Sequence, residues 1–420
     1  MPGRTYHDPL HGAIALDRAD PTEALLIDLI DTPAFQRLRR IRQLGPASLT
    51  FHGAESSRFT HSLGVMAIAR RAFDRLASRH ADLKPYRAAV LCAALLHDVG
   101  HGPFSHTCEE IFGSHHEHWT RRILDESEPV RSRLDAYDPA LLPQLSQIYQ
   151  KTHPLPVVWQ LVTSQLDCDR LDYLMRDSYF TGASYGRLDL DRILMAMGYD
   201  PATQQLVVAK KGMAAIEHYL IVRYFMYAQI YNHPKNIAAT WMLQQAFRRA
   251  RELLALGKLA ADETVTAWLQ SDCNQLPLAQ YLQADDGVFV YHLQRWQQHE
   301  DSVLADLCRR FIDRDLFKAT DISPVSPEAH PDLLEQARRS LSQRGLAADY
   351  YCGIRVALSR GYTLYQRGIK LQTEEGLREL SELSPLVKTL TQPLQRSWLI
   401  HPRAVDPSVI SAIVSDPVSA

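Results

Sequence analysis

The run Leu95-Leu96-His97-Asp98-Val99-Gly100-His101-Gly102-Pro103-Phe104-Ser105-His106 places three imidazoles and a carboxylate behind a fully apolar segment. Half of the 18 histidines fall between His52 and His118. Buried imidazoles and carboxylates need partners, and here several need them at once. A metal ion satisfies them together, with hydrogen-bonding neighbours to orient the ligands. His61 opens a candidate helix after Arg58-Phe59-Thr60, and Asp169 stands in Asp167-Cys168-Asp169-Arg170-Leu171-Asp172-Tyr173. His61, His97, Asp98 and Asp169 would then reach one point from three helices. Adjacent helical residues point about 100° apart, so the His-Asp dyad can straddle one ion. Four protein ligands leave positions open on a six-coordinate ion, the mark of a catalytic metal. Two neutral imidazoles suit Fe, Mn, Co, Ni or Zn better than Mg. The competing reading is a plain hydrogen-bonded pair at a helix end; the surrounding histidines and the later Asp-x-Asp favour the metal.

Other residues share helical faces. Tyr219, Arg223, Tyr227 and Tyr231 recur every four residues, so they lie on one side of a helix. That face either packs on a sugar or base while the guanidinium grips phosphate, or is an aromatic core stripe with a snorkelling arginine. Asp169, Tyr173 and Asp177 share a face in the same way, and Asp172 with Arg176 reads as an i,i+4 ion pair. His101, His106, His116, Glu109 and Glu117 are the candidates for proton transfer. The run His115-His116-Glu117-His118 alone also reads as solvated surface.

These groups need a scaffold. Residues 1–20 look extended, with turns at Asp8-Pro9 and His11-Gly12. A helix is expected from Asp31-Thr32-Pro33, a capping residue followed by proline. It would carry Phe35, Leu38 and Ile41 inward and Arg37, Arg39, Arg40 and Arg42 on its other sides. Helices are expected from Ser62 to Ser78, from Ala88 to Leu96 as a buried central helix, within 157–177, and near 212–232 and 238–256. Short strands are expected at Gln205 to Lys210 and around Tyr350 to Leu371. Composition shifts near residue 320, where a small mixed α+β subdomain begins.

The length of 420 residues suits one large domain, or one with a smaller appendage. A net charge of −2 gives no bulk argument for nucleic acid or anionic membrane, so phosphate recognition must come from local charge. Nucleic acid stays open as a partner that charge does not indicate. Six cysteines without CxxC spacing argue against a disulfide framework and a thiolate zinc site, and fit a cytoplasmic setting. Neither a signal-peptide core nor a run of 18 apolar residues is present, so no membrane association is expected.

The pattern His61…His97-Asp98…Asp169 resembles the HD-domain metal-dependent phosphohydrolase signature. Asp8-Pro9-Leu10-His11-Gly12, Asp31-Thr32-Pro33-Ala34-Phe35-Gln36-Arg37-Leu38-Arg39, Gln43-Leu44-Gly45 and Arg58-Phe59-Thr60-His61-Ser62-Leu63-Gly64 extend the resemblance. So does Asp169-Arg170-Leu171-Asp172-Tyr173-Leu174-Met175-Arg176-Asp177. Together they are similar to the deoxynucleoside triphosphate triphosphohydrolase branch, strongly over residues 6–240. The resemblance implies a mainly α fold: an HD-domain helical bundle in residues 1–240, a helical extension over 241–320, and a smaller α+β appendage over 321–420.

It further implies metal-dependent hydrolysis of dNTPs to deoxynucleoside and triphosphate. One divalent transition metal per subunit would sit on His61, His97, Asp98 and Asp169, with Mg accompanying the nucleotide. Arg58 and Arg223 would meet phosphate, with His106 and Arg170 among the other substrate contacts. Gln43, Leu44, Tyr173, Asp177, Tyr231 and Asn232 would meet the nucleoside, with Tyr173 against the deoxyribose and Asp177 on the 3′-hydroxyl. His116 would be the proton donor, held by Glu109 and Glu117 with His101 alongside. Arg170 stands where the animal branch has lysine, and Glu109 where it has the shorter aspartate. Arg4, Asp31, Gln36 and Arg39 fall where that branch binds an activating guanine nucleotide, a dGTP or GTP. A homo-oligomer, dimer or tetramer, is implied as well. Two other readings compete: another HD-type nucleotide phosphohydrolase, phosphodiesterase or exonuclease; and a nucleotide or nucleic-acid binding module with a structural metal.

Overall fold

The computed structural model describes residues 3–359, 361–363 and 368–405. The fold is mainly α-helical, with three small sheets. The chain opens with an antiparallel hairpin, β1 (Arg4–Asp8) and β2 (Gly12–Leu16), in which Asp8 pairs with Gly12. Asp20 caps α1 (Pro21–Ile30), and Thr32 caps the short α2 (Pro33–Gln36), each with proline at the first position.

The sequence pattern calls for one helix through Ile41. Instead a 3₁₀ turn over Arg37–Arg40 follows α2. Phe35, Leu38 and Ile41 are buried as expected, but Arg37 is buried too, against expectation. Its guanidinium donates to the carbonyls of Ala284 (2.9 Å), Val99 (3.2 Å) and His101 (2.6 Å).

Next come α3 (Arg58–Ala77), capped by Ser57, and α4 (Arg87–Leu96). Every residue of α4 from Ala88 to Leu96 is buried, as its all-apolar sequence requires. α5 (His106–Phe112) and α6 (His116–Glu126) follow, then α7 (Glu128–Tyr137), α8 (Leu141–Gln150) and α9 (Pro156–Gln160). Asp167 caps α10 (Cys168–Thr181), accepting from the Arg170 amide at 2.8 Å. α11 (Leu190–Ala196) precedes β3 (Met197–Asp200) and β4 (Gln205–Ala209). α12 (Met213–Met226) runs into a π turn over Tyr227–Tyr231, and α13 (Pro234–Ala255) follows.

Two apolar clusters form the interior. The larger gathers α1, α3, α4 and α10 with α12; the second is built around α13 and the helices that follow it, and also takes Phe104, Cys108 and Phe112. β5 (Lys318–Asp321), β6 (Gly353–Ser359) and β9 (Leu394–His401) form a sheet in the order β5-β9-β6, whose Leu399 and Ile400 join the second cluster. β7 (Lys370–Thr373) and β8 (Gly376–Glu379) instead extend the β3-β4 pair, with β7 parallel to β4, and Leu371 joins the first cluster. The strands expected around 350–371 are β6 and the start of β7; residues 360 and 364–367 of that span lie outside the described residues, as do 406–420. Among the described residues no helix is long and apolar enough to cross a membrane. All six cysteines are free and buried.

Candidate metal centre and nucleotide cavity

α3 packs against both α4 and α10, and the predicted ligands come together where these helices meet. His61 Nε2 lies 3.3 Å from His97 Nε2, 3.1 Å from Asp169 Oδ1 and 3.5 Å from Asp98 Oδ2. His97 Nε2 lies 3.3 Å from Asp98 Oδ1 and 3.5 Å from Asp169 Oδ1. Both rings use Nδ1 elsewhere. A carbonyl only accepts, so His97 Nδ1 donates to Ala94 at 2.9 Å, and His61 Nδ1 donates to Asp172 at 2.8 Å. That fixes each tautomer and turns two Nε2 lone pairs toward two carboxylates, a donor set that fits one divalent ion. Burial works against an imidazolium at His61, yet its hydrogen bonds to Asp169 and Asp172 override this and raise it to about 10. The carboxylates thus call for positive charge at this spot. Asp98 is held well below the usual carboxylate range: burial opposes ionisation, but the Arg58 and His97 charges outweigh it.

Asp172 bonds to His61 directly, a contact that the sequence reading does not predict. The ion pair with Arg176 is present, at 2.7 and 3.0 Å, but the same carboxylate also fixes His61. The signal was available: residues three apart on a helix are neighbours, so Asp169 and Asp172 flank one imidazole.

The loop between α4 and α5 is pinned from several sides. Thr120 Oγ1 donates to the His97 carbonyl (3.0 Å), Tyr281 to the Gly100 carbonyl (2.6 Å), and Arg37 reaches Val99 and His101. Phe104 and Ser105 hold positive φ angles of 61° and 57°. Ser105 Oγ accepts from Arg58 Nε at 2.8 Å and donates to the Arg42 carbonyl at 2.6 Å. Arg58 Nη1 completes the link to Asp98 at 2.5 Å.

Beside the metal residues lies the candidate proton relay. Glu109 Oε1 accepts from His116 Nδ1 at 2.5 Å and from the His116 amide at 3.1 Å; its other oxygen faces His106 Nδ1 at 3.2 Å. Burial opposes ionisation of Glu109, but these two histidines hold it well below the usual range. His101 stacks on His116 with ring centres 4.1 Å apart, and its Nε2 lies 3.2 Å from Asp98 Oδ1. Burial, then the Arg58 charge, keeps the His101 imidazole neutral.

A cavity of about 590 Å³ joins these groups. His97, Asp98 and Asp169 form its floor; His101, His106, His116 and Glu117 line one wall, with Arg58 and Arg170 beside them. Gln43, Leu44, Tyr173, Asp177, Tyr231 and Asn232 line the rest. The π turn after α12 brings Tyr227 and Tyr231 to this wall, with ring centres 5.0 Å apart. Tyr231 donates to Asp177 at 2.9 Å, and Tyr173 meets Tyr231 edge to face at 6.1 Å. Arg170 pairs with Asp167, and Asn232 donates to Ser359 Oγ at 2.6 Å.

Arg223 is not among the lining residues; it donates to Gln165 Oε1 at 2.9 Å behind the Tyr227 ring. Tyr219 is fully buried, its hydroxyl on the Gln165 carbonyl. The aromatic face thus divides, with its first two members in the interior. Arg4, Asp31, Gln36 and Arg39 lie outside the cavity. Arg4 pairs with Asp31, and Arg39 donates to Gln36 at 2.8 Å while covering the Phe59 ring at 3.6 Å.

Burial pushes Asp177 up to about 7. The unfolded carboxyl sits near 3.8, so between these values the folded chain holds a proton that the unfolded chain has released. Stability therefore drains as pH rises toward 7 and levels off above it. Asp177→Asn removes this drain. In denaturant titrations of metal-free protein, the variant should gain about 2–3 kcal/mol on wild type between pH 5 and pH 8. An unchanged difference would show that burial does not shift this group.

Known proteins match this arrangement. Residues 58–147 match the HD domain and residues 188–272 the HD associated region. The chain is 37% identical over 398 residues to YwfO of Bacillus subtilis, covering 92% of this chain and 89% of that one. It is 30% identical over 253 residues to the deoxynucleoside triphosphate triphosphohydrolase SAMHD1 homolog of Dictyostelium discoideum, 56% of this chain and 48% of that one. A crystal structure of a phosphohydrolase from Bacteroides thetaiotaomicron superposes with a TM-score of 0.82 at 30% identity, covering 96% of this chain and all of that one. With these likenesses, two of which span nearly the whole chain, the chain belongs to the HD-domain phosphohydrolase family.

Proposed function

We propose that the protein hydrolyses deoxynucleoside triphosphates to deoxynucleoside and triphosphate. The observation that carries this reading is the shared cavity: metal ligands on its floor, a Glu109-held His116 on one wall, and a Tyr173–Asp177–Tyr231 group on another. Its volume of about 590 Å³ suits a nucleotide. A divalent ion on His61, His97, Asp98 and Asp169 supplies a more acidic water and a polarised phosphoryl oxygen.

The chain's own groups do the rest. Arg58, His106 and Arg170 take phosphate charge. Tyr173 packs against the deoxyribose and leaves no room for a 2′-hydroxyl, while Asp177 accepts from the 3′-hydroxyl. Water adds its oxygen to the α-phosphorus and releases a proton to solvent, and the bond from that phosphorus to the 5′ oxygen breaks. The 5′ oxygen leaves with a proton from His116. Glu109 holds His116 Nδ1 and so turns Nε2 toward the leaving oxygen. Arg4, Asp31, Gln36 and Arg39 are proposed as a separate site for a dGTP or GTP activator, in a dimeric or tetrameric assembly.

The test is product analysis. Protein loaded with Mn²⁺ or Co²⁺ is incubated with dNTPs, ribonucleotides, cyclic nucleotides and single-stranded DNA, with and without added dGTP or GTP. Intact triphosphate from dNTPs is the expected product. Orthophosphate or nucleoside monophosphate would overturn the proposal.

A further inference from the structure

We propose that His11, at the turn of the N-terminal hairpin, is a positioning residue for the metal centre, acting through Asp172 on His61. The inference rests on the metal-centre reading and is independent of which substrate is cut.

Asp172 is wholly buried and sits between three elements. Its Oδ2 accepts from His61 Nδ1 at 2.8 Å and from Arg176 Nε at 2.7 Å. Its Oδ1 meets His11 Nε2 at 2.5 Å and Arg176 Nη2 at 3.0 Å. The His61 contact therefore uses one oxygen and the hairpin contact the other. The last torsion of an aspartate is soft, so the plane of this carboxylate is set by its donors. Arg176 comes from the same helix and moves with Asp172; His11 comes from a different element and ties the group to the hairpin.

The hairpin turn is itself fixed for this contact. Asp8 Oδ1 accepts from the amides of Leu10 and His11, both at 2.9 Å. Asp8 Oδ2 accepts from Arg176 Nη1 at 2.9 Å. Asp8, His11, Asp172 and Arg176 thus close a ring of hydrogen bonds behind His61. Gly64, three residues after His61 on α3, provides the space: a methyl group there would overlap Asp172 Oδ1 and Arg176 Nη2. His11 also borders a second cavity of about 410 Å³ with Arg70 and Met175. Removing its ring opens the back of the ring of bonds toward that space.

Orienting partners behind a metal ligand typically carry about 10–100-fold in metal affinity. His11 acts one bond further out, so the low end is expected. Mn²⁺ affinity is measured by chelator competition, and the Co²⁺ visible spectrum reports ligand geometry, on wild type, His11→Ala and His11→Gln. Glutamine carries an N–H donor at a reach close to that of imidazole Nε2. His11→Ala should bind Mn²⁺ about 10-fold more weakly with an altered Co²⁺ spectrum, and His11→Gln should return to within about threefold of wild type. Wild-type affinity in His11→Ala overturns the inference. So does equal weakening in both variants, which would assign His11 to packing alone. Should His11→Ala not fold, His11→Gln decides by the same threefold limit. A wild-type protein that takes up no Mn²⁺ would bring down the metal-centre reading itself.

Discussion

With alanine at His97, turnover falls by about 10³-fold or more and the bound metal is lost. The figure follows from several kcal/mol of transition-state stabilisation by a metal ion, at 1.36 kcal/mol for each factor of ten. His97 closes a buried helix and its Nε2 stands within 3.5 Å of His61, Asp98 and Asp169. His101 is already committed, with its Nε2 facing Asp98 Oδ1 at 3.2 Å and its ring stacked on His116. Metal content by elemental analysis and steady-state rates on the same preparation test this. Turnover that survives with the metal gone would remove the metal-based account of catalysis.

The second large effect is at His116. His116→Gln is expected to lower kcat about 10²–10⁴-fold, the usual range for a positioned proton donor. Metal held by His61, His97 and Asp169 should stay at the wild-type level, since that group does not include His116. Loss of metal together with activity, or a fall of less than tenfold, would take the proton-donor role from His116.

The grouping of His61, His97, Asp98 and Asp169 was legible in the sequence because it depends on residue type and helix phase. His97-Asp98 ends a segment with no polar face, and such a segment can only be central; α4 is buried throughout. The tyrosine stripe was legible only in part. A four-residue period assumes one uniform helix, but α12 gives way to a π turn at Tyr227, which sends Tyr227 and Tyr231 to the cavity while Tyr219 stays inside. Arg37 shows a different limit. Its neighbours in sequence are solvated arginines, and the carbonyls that bury it belong to residues as distant as Ala284. Asp172 was half read: pairing with Arg176 is local and visible, whereas the bonds to His61 and His11 join segments 111 and 161 residues away.

The loop at Phe104 and Ser105 carries a cost of its own. Side chains at left-handed φ cost of order 1–3 kcal/mol each, and here two occur in succession. Ser105 in that posture aims Arg58 at Asp98. Relaxing this segment would harden the protein against heat while spoiling the aim of the guanidinium. Stability gained at this loop would come at the expense of the guanidinium's aim, so gains in robustness for this chain are better sought elsewhere.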